Sequence, residues 1–365
     1  MKRFISIIIL IAFSSIAFAE EIQLEWKWEK TFNSIVLISS ENTPEEIEKE
    51  GIPKEFFDKD FDDQKLAPEF EEFVPKLPEY GMGTGFFINR VHIVTNYHVI
   101  KRFDKIKVYA YNHPFAITDI RIVGYDEEVD IAVLEILENI EHDNLEWADT
   151  SPYIGDTVYA LGHGISQIWS LTQGILSNDY RPNPGSGFVH YIQTDAVINA
   201  GNSGGPVLNE DGEVIGVATL LISPDRNYVG YGYVLPTPLV KRVVSQILAT
   251  GKHIKPSIGI MMGIIDDREL YEKLKADGLE HYLEIKEVIV DSAAYRFGLL
   301  AGDIIVSIDD EDIRVVPQVI ELLWERNPGD QISFNIYRNG EYQIIDVVLG
   351  TFKPTKPVGQ FYQNK

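Results

Sequence analysis

The chain has 365 residues, no cysteine and a formal net charge of −24 at pH 7. A surface this acidic repels nucleic acid and anionic lipid, and a chain without cysteine has neither disulfides nor thiolate chemistry. Stability must therefore come from packed cores, which a hydrophobic content of 45% can supply, and the length predicts two domains.

The first residues, MKRFISIIILIAFSSIAFAEE, have the layout of a secretory signal peptide. A basic start precedes an apolar run and a small-x-small triplet that ends at Ala19. The run from Phe4 to Ala19 is shorter than the ~20 residues that a spanning helix needs, which favours cleavage over a retained membrane anchor. The sequence thus predicts residues 1–19 as a signal peptide and an exported, periplasmic location.

Residues 34–236 run as short segments rich in β-branched and aromatic residues, from SIVLISS to YGYVLP, separated by turn-forming residues. Helical spacing appears only in PLVKRVVSQILAT, which ends at Gly251. About a dozen strands before that helix fit two closed barrels or a pair of sandwiches. Residues 41–80 form an acidic insertion with five phenylalanines, for which a solvated loop and a docking or assembly role both stay open.

A different pattern begins after a short linker at residues 252–256. Strand-like segments alternate with helical ones, of which DDRELYEKLKADG and QVIELLWER are the clearest. This pattern predicts a separate mixed α/β domain over residues 257–351, followed by a loosely ordered tail at 352–365.

Three segments carry residues suited to nucleophilic catalysis: TNYHV with His98, VDIAVLEI with Asp130 and GNSGGP with Ser203. Each residue alone also has a structural explanation: His98 as a core histidine, Asp130 as the polar start of a strand and Ser203 as a turn residue. The chain order His, Asp, Ser is that of chymotrypsin-type enzymes. A serine hydroxyl needs an imidazole to accept its proton, and the imidazole needs a carboxylate to hold its tautomer.

Two glycines flank the candidate nucleophile, Gly201 and Gly204, and leave the backbone free to approach a substrate. The amides of Gly201 and Ser203 can then point at a developing oxyanion, a contribution of about 3 kcal/mol per donor.

The segments TNYHV, DIAVL, QTDAVINAGNSGGPV and YGYVLP together resemble the HtrA (Deg) family of exported trypsin-fold serine proteases. Farther along, SIGI and VDSAAYRFGLLAGDIIVSIDDEDI resemble the PDZ domain of that family, so the resemblance covers nearly all of residues 34–350. It implies a mostly β fold, with a two-barrel chymotrypsin/trypsin-like protease domain in residues 20–251 and a small mixed α/β PDZ domain after it. One departure is the segment LGHGIS, where the family often has a Gly-Asn-Pro turn.

By this resemblance, His98 is the general base, Asp130 its orienting partner and Ser203 the nucleophile, while Gly201 and Asn202 shape the oxyanion loop. Asp130 is preferred as the acid because it directly opens the apolar strand, as the aspartate of the family does. The rival carboxylates belong to Asp119, Asp126 and Asp195.

Substrate preference is read from the residue six before the nucleophile, which in trypsin-type proteases lies at the base of the primary pocket. Here it is Val197, so basic side chains are not favoured. The resemblance implies small to medium aliphatic residues, with Tyr231 and Tyr233 as pocket walls. The segment GMGTG lacks the spacing of a dinucleotide loop, and the histidines form no close ligand pair, so the sequence predicts no cofactor and no metal.

In a PDZ domain, an extended peptide adds to a sheet edge while the amides of a short loop hold its terminal carboxylate. That loop is here expected at Ser257, Ile258, Gly259 and Ile260, although a buried strand in a rigid spacer explains the same letters. The implied partners are unfolded or damaged proteins and C-terminal peptides, and the implied assembly is a homotrimer or a multiple of trimers. The alternative function is a non-enzymatic peptide-binding chaperone whose triad is misaligned.

Overall fold

The computed structural model describes residues 28–41, 82–101, 105–164, 168–183, 188–220 and 230–351. The predicted signal peptide, nearly all of the acidic insertion and the C-terminal tail lie outside these residues. The chain forms two compact units. The first holds the described residues up to Arg181 together with Tyr191–Gly251, and the second holds Pro182–His190 together with the described residues from Lys252 onward.

The first unit begins with a six-stranded antiparallel sheet in the order β4–β1–β2–β3–β6–β5. Its strands are β1 (Ile35–Glu41), β2 (Met82–Phe87), β3 (His92–Thr95), β4 (Lys105–Ala110), β5 (Ile120–Asp126) and β6 (Ile131–Ile136). Strand β6 is apolar almost throughout because nearly all of its residues are buried. Among the described residues, the end strands β4 and β5 do not pair with each other, so this half is a sheet. A closed barrel was one of the two arrangements expected for it.

The second half of this unit is a closed barrel in the order β10–β11–β12–β9–β8–β7, as predicted. Its strands are β7 (Thr157–Gly162), β8 (Ser170–Pro182), β9 (His190–Thr194), β10 (Pro206–Leu208), β11 (Val214–Leu220) and β12 (Gly232–Pro236). Its core consists of small and branched side chains, among them Val158, Ile192 and Val234. The glycine-rich segment GNSGGP lies in the connection between β9 and β10.

Besides the helical residues 28–33 at the start of the described chain, two helices belong to the described part of this unit. The short helix α1 (Tyr97–Ile100) directly follows β3, and α2 (Thr237–Thr250) follows β12. Helix α2 ends at Gly251, which has a φ of 78° and donates its N–H to the carbonyl of Ile247. The helix and the glycine that ends it were both predicted from the sequence, and both are confirmed.

The second unit contains a mixed domain whose main sheet has the order β14–β15–β16–β18–β19, with β17 added to β16. A separate pair joins β13 to β20. The strands are β13 (Pro256–Ser257), β14 (Ile260–Ile264), β15 (Leu283–Val288), β16 (Ile304–Ile308), β17 (Glu311–Asp312), β18 (Gln331–Arg338), β19 (Glu341–Val348) and β20 (Gly350–Thr351).

Three helices complete this domain: α3 (Arg268–Ala276), α4 (Ala293–Phe297) and α5 (Val316–Trp324). Helices α3 and α5 were predicted, and α3 begins where the Asp267 carboxylate accepts two backbone N–H groups. The letters SIGIMMG, residues 257–263, indicate a single strand when taken as sequence. The segment is split into β13 and β14 because Gly259 between them has a φ of 83°. In the described part of the chain, no helix is both long and apolar enough to cross a membrane.

Candidate active site

The histidine and the aspartate of the predicted triad are in direct contact. His98 lies in α1, and its Nδ1 is 2.6 Å from Oδ2 of Asp130. The other carboxylate oxygen, Oδ1, accepts the backbone N–H of His98 at 2.8 Å. Because an ionised carboxylate only accepts hydrogen bonds, Nδ1 of the neutral ring carries the proton and Nε2 is left as the acceptor. The side chain of His98 is 46% exposed, so Nε2 is within reach of a substrate.

Asp130 is itself held in an unusual backbone conformation, with a φ of 63°. Its carbonyl accepts the N–H of Tyr97 at 3.2 Å and the side-chain amide of Asn96 at 2.7 Å. Aspartate is one of the few residues that tolerate this left-handed region, and such strain is often found at functional sites. The backbone around Asp130 is therefore fixed to aim its carboxylate at His98.

The three rival aspartates have other structural roles. The Oδ1 atom of Asp126 accepts the N–H of Val129 at 2.9 Å, which shapes the turn before Asp130. The Oδ1 atom of Asp195 accepts a backbone N–H from β8 at 2.7 Å. Asp119 lies at the start of β5, where its carbonyl accepts a backbone N–H at 2.9 Å. Of the four candidate acids, the structure places only Asp130 against His98 within the described residues.

Ser203 lies close to this pair, but its side chain points elsewhere. Its Oγ donates to the carbonyl of Thr219 at 3.4 Å, and among the described residues no hydrogen bond joins it to His98. The two groups are linked indirectly, since the Asn96 amide donates both to the Asp130 carbonyl and to Oγ1 of Thr219. Catalytic hydrogen bonds are often long or unformed without substrate, so this arrangement is compatible with the predicted role of Ser203.

The loop around Ser203 depends on its two glycines. Gly201 and Gly204 have φ values of 99° and 85°. A Cβ atom on Gly201 would lie 2.4 Å from the carbonyl oxygen of His163, and one on Gly204 would lie 2.2 Å from that of Thr84. Any larger residue would therefore strain the backbone and collide with it as well.

The amides predicted to bind an oxyanion are available. In the described part of the chain, neither the N–H of Gly201 nor that of Ser203 donates to another backbone group. Between them, Asn202 is used in the turn, because its N–H donates to Asn199 and its carbonyl accepts from Gly205. The loop thus leaves one amide on each side of Asn202, a buried residue whose own backbone N–H and carbonyl are hydrogen-bonded.

The predicted pocket residues belong to or adjoin two barrel strands: Val197 follows β9, and Tyr231 and Tyr233 lie at the start of β12. Val197 and Tyr231 are exposed, and Tyr233 is partly buried with its ring 6.1 Å from that of Tyr191. Burial raises the pKa of Tyr191 to about 12, and the negative charge of Asp130 adds to this shift. Residues 221–229, which adjoin these tyrosines in sequence, lie outside the described residues, so the pocket assignment stays a prediction.

Several supporting residues were missed by sequence reasoning. Asn96 and Thr219 bridge the two halves of the site, and Thr84, which lies in the segment GMGTG, contacts the oxyanion loop. Asn96 stands two residues before His98, so the local sequence carried a signal for it. Thr84 and Thr219 come from strands that are distant in sequence, so no local pattern pointed to them. Within the described ranges, no three His, Asp or Glu side chains cluster closely enough to hold a metal ion.

The predicted carboxylate loop of the second unit joins β13 to β14. Ile258 is buried and lines a narrow crevice together with Val319, Leu322 and Leu323 of α5. Among the described residues, the amides of Ile258 and Gly259 donate to no backbone carbonyl. Strand β14 is an end strand of its sheet and pairs with β15 alone in the described part, which leaves an edge where an extended peptide can add.

Two family models match the chain. The trypsin-like peptidase domain matches residues 83–217, and the PDZ domain matches residues 256–349. Among curated proteins, the periplasmic pH-dependent serine endoprotease DegQ of Escherichia coli is 29% identical over 88% of this chain and 69% of its own length. A probable periplasmic serine endoprotease, DegP-like, of Halomonas elongata is 31% identical over 82% of this chain and 62% of its own length.

Solved structures give the same result. The HtrA-type protease AlgW with tripeptide has a TM-score of 0.65 and 29% identity, over 75% of this chain and 91% of that one. The fold and the site therefore define a trypsin-like serine protease domain joined to a PDZ domain, which is the class of a serine-type hydrolase. The chain belongs to the HtrA (Deg) family. It spans less than two thirds of several of its curated relatives, for example 58% of a DegP-like protein of Chlamydia trachomatis. None of these relatives supports the chaperone alternative.

Proposed function

We propose that the chain is an exported serine endopeptidase that cleaves unfolded or damaged proteins with His98, Asp130 and Ser203. The observation that carries this proposal is the double hydrogen bond between Asp130 and His98, which fixes both the ring and its tautomer. No purely structural role requires an exposed histidine to be held in this way near a serine in a glycine-rich loop.

Catalysis follows from these positions. On substrate binding, Ser203 rotates from Thr219 towards Nε2 of His98, which accepts the hydroxyl proton as Oγ attacks the scissile carbonyl. Asp130 stabilises the imidazolium that forms, and the amides of Gly201 and Ser203 receive the oxyanion. The imidazolium then donates its proton to the leaving amine, and water hydrolyses the acyl-enzyme by the same groups.

The test is casein cleavage by a Ser203→Ala variant. Deleting the nucleophile of a triad lowers the rate by about 10⁴ to 10⁶, so we expect no measurable cleavage from a folded variant. Ser245→Ala is the matched control, because Ser245 is an exposed serine whose hydroxyl donates to the carbonyl of Lys241 within helix α2. Cleavage by the Ser203→Ala variant at the wild-type rate would show that another group is the nucleophile.

The second unit is proposed to bind the C-terminal ends of such substrates. Its support is the pair of undonated amides at Ile258 and Gly259 beside the open edge of β14. The AlgW structures with a tripeptide and with a decapeptide show peptide complexes of a related protein. The full chain with Ser203→Ala should bind a peptide with an apolar last residue at micromolar Kd, about −8 kcal/mol. Amidation of that peptide should weaken binding at least tenfold, and equal affinities would remove the proposal.

The predicted leader, the periplasmic location and assembly into trimers complete the proposal. The names of the relatives support the location, since DegQ and the DegP-like proteins are called periplasmic. N-terminal sequencing of protein recovered from a periplasmic extract should start at Glu20. A chain that begins at Met1 would contradict cleavage. Native mass spectrometry gives the number of subunits, and a monomer would contradict the trimer.

A further inference from the structure

Thr84 occupies a buried position on β2 and contacts the oxyanion loop through its side chain. Its Oγ1 donates to the carbonyl of Gly201 at 2.7 Å and accepts the backbone N–H of His163 at 3.2 Å. Thr84 has no exposed surface. The hydroxyl has a single proton, which it donates to the carbonyl of Gly201. Because the same oxygen accepts the N–H of His163, the direction in which the hydroxyl donates is fixed.

The backbone of Thr84 holds the same loop at a second point. Its N–H donates to the carbonyl of Ser203 at 2.8 Å. Its own carbonyl is fixed by Oγ1 of Thr95 at 2.7 Å. Thr84 therefore binds the carbonyls of Gly201 and Ser203, the two residues whose amides are proposed to receive the oxyanion.

We propose that the Thr84 hydroxyl is a positioning group for the oxyanion hole. Gly201 has no side chain that restricts its rotation, so hydrogen bonds help to fix where its peptide groups point. The bond from Thr84 to its carbonyl helps to hold Gly201 at a φ of 99°, in a loop where its amide donates to no backbone group among the described residues. This inference rests on the proposed function, since it assigns Thr84 a role only in a reaction that forms an oxyanion at Ser203.

The experiment compares kcat and KM for a chromogenic peptide across four variants of the full chain. Thr84→Val keeps the shape but removes the hydroxyl, and Thr84→Ser keeps the hydroxyl but removes the methyl group. Thr84→Ala removes both the methyl group and the hydroxyl, so it differs from Thr84→Ser only in the hydroxyl. Thr237→Val is the matched control, because it also removes a buried hydroxyl bond, from Thr237 to the carbonyl of Val214, but none to the oxyanion loop or to Thr84.

We expect Thr84→Val and Thr84→Ala to lower kcat between about tenfold and a few hundredfold, because outright loss of an oxyanion donor costs about 10² to 10³. KM should change less than about threefold, since substrate binding precedes formation of the oxyanion. Thr84→Ser and Thr237→Val should keep kcat within about threefold of wild type, even where their melting temperature falls.

Equal kcat for the serine and alanine variants would overturn the proposal, and this pair decides it even if Thr84→Val does not fold. A wild-type kcat for Thr84→Val would overturn it too. Ser203→Ala is measured in parallel. If that variant is inactive while Thr84→Val is normal, only the role of Thr84 fails; if Ser203→Ala stays active, the proposed function itself fails.

Discussion

The histidine–aspartate half and the serine half of the candidate active site differ in what holds them. Side-chain hydrogen bonds lock His98 to both carboxylate oxygens of Asp130. The loop of Ser203 is instead held by its backbone, while the Ser203 side chain points to Thr219. His98 and Asp130 are thus already in contact, whereas the hydroxyl of Ser203 is bonded away from His98. Substitutions in the histidine–aspartate half should therefore act through the tautomer of His98. Substitutions in the serine half should act through the backbone geometry of the loop.

The largest expected effect comes from Asp130→Asn in the first half. Asparagine tolerates the left-handed φ of 63°, so the fold should be kept. Its amide can donate to Nδ1 of His98, which favours the wrong tautomer and should lower kcat by about 10⁴. Steady-state kinetics on a peptide substrate measures this loss, and Asp119→Asn serves as the control with kcat within about twofold. A loss below tenfold for Asp130→Asn would assign the orienting role to another group.

The second half is tested by Gly201→Ala against Gly155→Ala. Both glycines have a φ of 99°, but a Cβ on Gly201 lies 2.4 Å from a carbonyl oxygen, whereas one on Gly155 has no heavy atom within 4 Å. Both variants should lose about 1 to 3 kcal/mol of unfolding free energy from backbone strain, and Gly201→Ala should lose more because its Cβ also collides with a carbonyl oxygen. Only Gly201→Ala should also lose kcat, by at least about 10².

Chemical unfolding and kinetics of the two alanine variants separate these contributions. If both keep wild-type kcat, the geometry of the Gly201 loop does not control the reaction, and the contrast between the two halves of the site is wrong.

A smaller effect concerns the stability of the serine half. His163 packs behind the loop with its Nδ1 accepting the N–H of Trp169 at 3.1 Å. Burial lowers the pKa of His163 to about 3, from 6.5 in the unfolded chain, while the Val36 backbone opposes this shift weakly. Between these values the unfolded state binds more protons, so the contribution of His163 to stability is complete above pH 6.5 and is lost as the pH falls towards 3.

His163→Asn keeps an acceptor for Trp169 but does not titrate. From pH 6.5 to 4.5 the wild type should therefore lose about 2 to 3 kcal/mol more unfolding free energy than this variant, at about 1.4 kcal/mol per pH unit. Denaturant unfolding at both pH values measures the difference. Parallel losses in the two proteins would mean that His163 becomes protonated in the fold as readily as in the unfolded chain.

The sequence predicted the parts of the site that have local signatures. The order of His98, Asp130 and Ser203, the glycines of the loop and the helix that ends at Gly251 all follow from short patterns, and the structure brings the first two residues into contact. The positive φ of Asp130 has no such signature, because it is imposed by the hydrogen bonds that its carbonyl receives from Asn96 and Tyr97.

Contacts between distant strands were likewise beyond sequence reasoning. Thr84 and Gly201 are 117 positions apart, and only the packing of β2 against the loop after β9 reveals their hydrogen bond. The departure at LGHGIS was visible in the sequence, but the burial of His163 behind Gly201 was not.

The most direct test of the central claim is the site of covalent modification by a fluorophosphonate, which reacts with activated serines. After labelling of the full chain, peptide mapping by mass spectrometry should find a single adduct on Ser203, formed far more slowly in the Asp130→Asn variant. An adduct on a different serine, or equal labelling rates in the two proteins, would contradict a triad of His98, Asp130 and Ser203.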